Sequence, residues 1–135
     1  SSDLVESFYR IGRREGGVGD FVARIQSEYR QMGVRWSGSA EPPDHIATEL
    51  EAMSSLCRRE WEAWESGSAD EAVGSLRLQR TFLDRHLGVW APLFTARALS
   101  ANPGAFYSRL LEFIHSFVVH EKNLSAIRVM AVGIL

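Results

Sequence analysis

Cysteine occurs once in this chain, at Cys57, and proline only four times. A single thiol excludes an internal disulfide framework, and a reducing, cytoplasmic compartment is the simplest reading. Long apolar runs are missing too. The longest, around Phe113 to His120, is interrupted by His115 and Ser116 and falls far short of the ~18 to 20 residues that span a bilayer. Charge of one sign is not in excess: 15 basic residues oppose 17 acidic ones, for a net charge of −2, which excludes the basic face of a nucleic-acid binder. No GxSxG elbow, phosphate-binding glycine loop or HExxH pair is present, and no segment alternates with the period of two that a half-buried strand needs. At 135 residues and 45% apolar content, the chain is expected to form a single domain over residues 1–135 with a core of its own. It opens on Ser1-Ser2 without methionine, as a trimmed chain or fragment would.

What is present reads as helix. Leu4, Val5, Phe8 and Tyr9 form a short amphipathic piece, followed by a glycine-rich break from Ile11 to Asp20. Phe21, Val22, Ile25, Tyr29 and Met32 then predict a helix over about Asp20 to Met32, closed by Gly33. Residues 34–42 read as an exposed linker in which Trp36 wants burial or a partner. Beyond it Ile46, Leu50, Met53, Cys57, Trp61 and Trp64 recur every three or four residues. This predicts a long helix opened by Pro42 and Pro43, with Asp44 in its first turn and its end near Gly67. Ser68 and Glu71 fit a capping box for the next helix, which runs to Gly88. Pro92 is expected to start a brief helix ended by Asn102-Pro103-Gly104, and Asn102 to cap the last one, whose stripe is Phe106, Leu110, Phe113, Ile114, Phe117 and Val118. The tail from Glu121 to Leu135 fits either helix or extended chain. The expected fold is an all-α bundle of about five to six helices joined by short loops.

Chemistry is sparse. The histidines His45, His86, His115 and His120 lack metal-ligand spacing, because His115 and His120, five apart, point to different helix faces. Cys57 lies on the apolar side of its helix and reads as a small core residue. Trp36, Trp61, Trp64 and Trp90 are numerous for so small a domain; each is more readily explained as core, although tryptophan also serves peptide contacts. Asp44-His45 is either a cap with a solvated neighbour or a contact site.

Two segments resemble a known family. Glu41-Pro42-Pro43-Asp44-His45 followed by Glu49-Leu50-Glu51-Ala52-Met53 is similar to the E-P-x-D-H linker and ELEFM-type helix of the TorD/DmsD/NarJ chaperones, which assist maturation of molybdenum-containing oxidoreductases of the dimethyl sulfoxide reductase type. Phe82-Leu83-Asp84-Arg85-His86-Leu87-Gly88-Val89-Trp90-Ala91-Pro92 resembles the family's F-L-x-x-H-L-x-x-W-x-P element, and Tyr29 to Val34 the run before the linker. The resemblance implies an all-helical, non-catalytic protein. Its expected partner is a catalytic subunit, met through its twin-arginine leader, its apo form or both. Asp44 and His45 match the binding motif, with Pro43 holding their geometry. A guanine nucleotide or molybdopterin guanine dinucleotide contact is implied by the family alone, and no stably bound cofactor or metal is expected. The family carries further helices before the point where this chain begins, of which Leu4 to Arg10 looks like the last piece. A bundle lacking them would leave an apolar face open, which predicts self-association or a segment-swapped dimer.

A leader with two arginines and an apolar stretch calls for acids beside an apolar groove. Glu41, Asp44 and Glu49 are the expected acids, Trp36 and Trp90 the groove, with the acid and imidazole behind the prolines facing outward. Two alternatives are a small enzyme or ligand-binding domain using Asp44 and His45 as a polar pair in a pocket, and a structural subunit fragment with the motif buried.

Overall fold

The computed structural model of the chain describes residues 4–10, 17–36 and 41–134. Among these there are six α-helices and no strand: α1 (Glu6–Arg10), α2 (Val18–Met32), α3 (Ile46–Glu65), α4 (Ala69–Phe82), α5 (Gly88–Ser100) and α6 (Ala105–Ile134). The expected break at Ile11 to Asp20 lies largely outside the described residues, and α2 already begins at Val18, two residues before Asp20. Gly33 does close α2 in the left-handed region, at φ 69°, with the Val34 N–H returning to the Tyr29 carbonyl at 2.9 Å.

The double proline does not open α3. Ile46 is its first residue and His45 its N-cap, whose Nδ1 accepts the Ala47 N–H at 3.0 Å. The prolines form a turn before it: the Pro42 carbonyl accepts the His45 N–H at 3.1 Å and the Thr48 hydroxyl at 2.9 Å. Asp44 therefore precedes the helix instead of sitting in its first turn. The helix ends at Glu65, and the turn through Gly67 at φ 77° sends α4 back along it. Ser68 is the N-cap of α4 but makes no side-chain capping bond; its hydroxyl pairs with that of Ser66 at 3.3 Å, so the capping box does not form.

No loop separates α4 from α5: Leu83–Leu87 is a π-helical turn that carries one helix into the next. The Gly88 N–H bonds the Leu83 carbonyl, five residues back, and a Cβ at Gly88 would lie 2.4 Å from that oxygen. Only glycine fits there. Pro92 consequently lies inside α5 instead of starting it. A widened turn just upstream is the kind of local distortion that lets a helix carry a residue without an N–H. Asn102 adopts a left-handed φ of 51° after α5 and does not cap α6, whose first turn accepts through the Gly104 carbonyl. The ambiguous tail is helical to Ile134.

The core is a continuous cluster in which α3 contributes Ile46, Ala52, Met53 and Leu56, the π turn Leu83 and Leu87, α5 Trp90, Ala91 and Phe94, and α6 Leu111 and Val118. Full burial of a side chain such as Leu56 or Met53 is worth about 1.5–3 kcal/mol. Trp61 and Trp64 are not part of it. They are 63% and 45% exposed, because the buried stripe of α3 runs through Leu56, Glu60 and Ala63, and the Trp64 indole donates to Glu60 from outside.

Candidate functional site

Both motif segments converge on α1. Five residues cannot hold a helix alone, so α1 is fixed by what it touches. The Glu6 N–H donates to the Asp44 carbonyl at 2.9 Å and the Ser7 N–H to Asp44 Oδ2 at 3.0 Å, while Val5 bridges to His45 as an isolated antiparallel pair. These bonds satisfy N–H groups of the first turn of α1 with a carboxylate and a carbonyl from the proline turn. The Tyr29 hydroxyl donates to the Pro43 carbonyl at 2.5 Å and ties that turn to α2. Burial, then the charges of Glu49 and Glu6, push the Tyr29 phenol far above its ordinary range, so it stays a donor.

From the second motif, the π turn delivers His86 and α5 delivers Trp90. His86 Nδ1 lies 2.8 Å from Glu6 Oε1, and its Nε2 meets Glu28. Burial pulls the imidazole down, but hydrogen bonds and charge from Glu6 and Glu28 outweigh it, and its pKa ends above the usual histidine value. The Trp90 indole donates to Glu49 Oε1 at 3.0 Å, leaving Oε2 of this buried carboxyl without a donor aimed at it. Burial first, then the neighbouring charge of Glu6, hold the Glu49 carboxyl well above the ordinary glutamate range despite the indole bond. A protonated Glu49 turns its orphaned oxygen into a donor toward Glu6, which resolves the missing bond.

Contrary to the sequence-based expectation, the motif acid Asp44 does not face outward. Asp44, Glu49 and Trp90 are at most 1% exposed, and Pro43 is buried with them. They cannot touch a partner in this conformation; they position α1 and the proline turn. His45, with its side chain 13% exposed, faces Glu41 Oε2 across 3.5 Å, and Glu41 is half exposed. Trp36 packs partly against the core and donates its indole N–H to the Glu41 carbonyl at 3.1 Å. With the exposed Pro42, these residues are what this edge of the molecule offers to solvent. Beside them an open cleft of about 430 Å³ lies between the end of α2 and α3, lined by Val34, Arg35, Trp36, Thr48, Glu51 and Arg58 among others. Asp44 and His45 are not an acid/base pair: one caps α1, the other α3, and neither lines that cleft.

Two of the residues that build this site, Glu6 and Glu28, carry no sequence signal as site residues, and Tyr29 stands out only as the start of the run before the linker. The only hint was indirect, in that His86 belongs to a recognisable motif and a buried histidine needs partners. Elsewhere, Cys57 is half-buried with its thiol pushed up to about 11 by burial and by Glu121 and Glu60, as a packing residue would be and a nucleophile would not. His115 shares a hydrogen bond with the Thr95 hydroxyl at 2.9 Å. Among the described residues no group of three or more His, Cys, Asp or Glu is disposed to hold a metal ion, and no helix is long and apolar enough to cross a membrane.

Comparison with known proteins points the same way as the two motifs. The selenate reductase assembly chaperone protein of Thauera selenatis is 44% identical over 66 residues, covering 49% of this chain and 33% of that protein. The chaperone protein TorD of Aeromonas salmonicida (strain A449) is 32% identical over 103 residues, 76% of this chain and 47% of that protein. The perchlorate reductase assembly chaperone protein of Dechloromonas aromatica (strain RCB) is 30% identical over 98 residues, 72% of this chain and 43% of that protein. The chain thus spans between about a third and a half of the length of these curated relatives. No solved structure is a significant match. The family model described as nitrate reductase delta subunit matches residues 3–96, which takes in α1 and both motif segments that build the buried cluster, and the chain belongs to that family.

Proposed function

We propose that this chain works as an assembly chaperone for the catalytic subunit of a molybdenum-containing oxidoreductase, without catalysing a reaction itself, in the cytoplasm and before export. It would hold the apo subunit, its twin-arginine leader or both until the cofactor is in place. The observation that carries this reading is the convergence of both motifs on one end of the bundle, where buried polar residues brace a solvent-facing edge of Trp36, Glu41 and His45 beside an open cleft. The names of the relatives, assembly chaperones for selenate and perchlorate reductases and TorD, supply the class of client.

The charge of the cleft bears on which part of the client docks. Glu51 lines it together with Arg35 and Arg58, and Glu41 lies at the Trp36 edge. Two acids against two arginines do not select a cationic pair, so the apolar part of a leader, or an extended segment of the apo subunit, fits better than the arginines do. Titration of a fluorescent leader peptide and of the apo subunit against wild type and Trp36→Ala tests this. The variant is expected to weaken binding at least about tenfold, the order lost when an aromatic anchor is truncated. Equal affinities for both ligands would remove the cleft from the proposal. Glutamine in place of both leader arginines should change affinity less than about threefold if charge contributes little.

A further inference from the structure

The last helix has two apolar sides; the bundle covers one fully and touches the other only in part, at Phe117. Leu111, Val118 and Ser125, seven residues apart, are buried against α4 and α5. A second series, Phe106, Leu110, Phe113, Phe117, His120, Leu124, Ile127 and Ala131, advances by alternate steps of four and three. Phe106, Leu110, Phe113 and Ile127 in it are 73%, 45%, 67% and 64% exposed, and Phe113 and Phe117 stack with centroids 6.3 Å apart. Alternating four and three is the a/d spacing of a coiled-coil seam, sustained here over more than three heptads. Isolated exposed apolar residues are ordinary, but a continuous seam of this length marks a contact surface. It also lies beyond residues 3–96, the part matched by the family model.

We infer that this seam is a homodimer surface, on which α6 of a second copy packs antiparallel to α6 of the first. The residues decide the direction. With a two-fold axis passing between Val118 and Val119, Phe106 meets Ala131 of the second copy, Leu110 meets Ile127, Phe113 meets Leu124 and Phe117 meets His120. Each large ring faces a smaller or polar group, as interdigitated layers require. At the flanking positions Arg109 faces Met130 and Ser116 faces Asn123, while Ile114 stays packed on its own core and Arg128 paired with its own Glu60, so no like charges are opposed. A parallel, in-register pairing would instead set Phe106, Phe113 and Phe117 each against its own copy and His120 against His120, which overfills three layers and opposes two imidazoles. Each chain keeps its α6 on its own bundle in this arrangement, so no segment is exchanged.

Sedimentation velocity of the chain is expected to show a dimer at about 10 µM, and Leu110→Glu with Phe113→Glu to weaken it more than 100-fold, since carboxylates would be buried in the seam. Unchanged far-UV circular dichroism establishes that this variant is folded. In a Cys57→Ser background, Phe113→Cys with Leu124→Cys should oxidise to an interchain 113–124 link, with Phe113→Cys alone giving little. A monomer at every concentration, a preferred 113–113 link, or capture of an apolar client segment on the seam by a chain that stays monomeric would each overturn the assignment.

Discussion

His86 sits between two carboxylates from different helices, 2.8 Å from Glu6 on α1 and in direct contact with Glu28 on α2, although 80 residues separate it from the first. Through it the π turn ties both α1 and α2 to the rest of the bundle. Its elevated pKa gives the sign of a pH effect. A histidine whose folded pKa exceeds its unfolded value stabilises fully below the unfolded value and loses that contribution as pH rises through the folded one. Thermal denaturation between pH 6 and pH 9 should therefore show falling stability that flattens in His86→Gln. A profile equally steep in the variant would place the effect elsewhere.

Glu49 contributes in the same direction. Its raised pKa means that it favours the folded state when protonated, fully at acid pH, and that this contribution is lost as pH rises from the ordinary glutamate range through the elevated value. Glu49→Gln keeps an acceptor for the Trp90 indole and places a permanent donor beside Glu6. It is expected to stabilise the fold at neutral pH by about 1–2 kcal/mol, the order of one buried group freed from its desolvation penalty. Urea denaturation measures it, and a destabilised variant would show that the carboxylate form is the native one.

Asp44→Ala should loosen α1 without touching a partner surface. The Ser7 N–H would lose its acceptor, at a cost of about 1–3 kcal/mol. Hydrogen exchange should report this in α1 and in the Pro42 to His45 turn, with α4 and α6 unchanged. Loss of client affinity in this variant with protection of α1 intact would restore Asp44 as a direct contact.

Gly88→Ala tests the π turn. The added carbon would approach the Leu83 carbonyl to 2.4 Å, closer than real contacts allow, so backbone must shift. The expected cost is roughly 3 kcal/mol, in the range of severe overpacking, read as a lowered denaturation midpoint. Gly74→Ala, where nothing lies within 4 Å, is the control and should be neutral or slightly stabilising.

The helices α2 and α3 were legible because their apolar residues recur at helical spacing and a glycine follows α2 where the left-handed turn needs it. What could not be read was any feature fixed by a distant partner. Asp44 looked like a first-turn acid because the residue it serves, Ser7, is 37 positions away, and Glu49 looked solvent-facing because Trp90 is 41 positions away. Pro92 carries a strong local signal for a helix start, which the π turn overrides. Trp61 and Trp64 share the helical period of the core, yet periodicity alone does not say which edge of a broad stripe is covered. The two motifs were recognisable as strings, but their role as braces for α1 emerges only from the contacts.

The wide turn at Leu83–Leu87 also sets how the two halves of one continuous helix face the bundle. Closing it into ordinary α-helix from Ala69 to Ser100 with every residue kept would rotate everything downstream by about 100°. Trp90 and Phe94 would then swing toward solvent, and His86 would lose its register with them. The extra residue held in that turn is thus what keeps the core faces of α4 and α5 aligned.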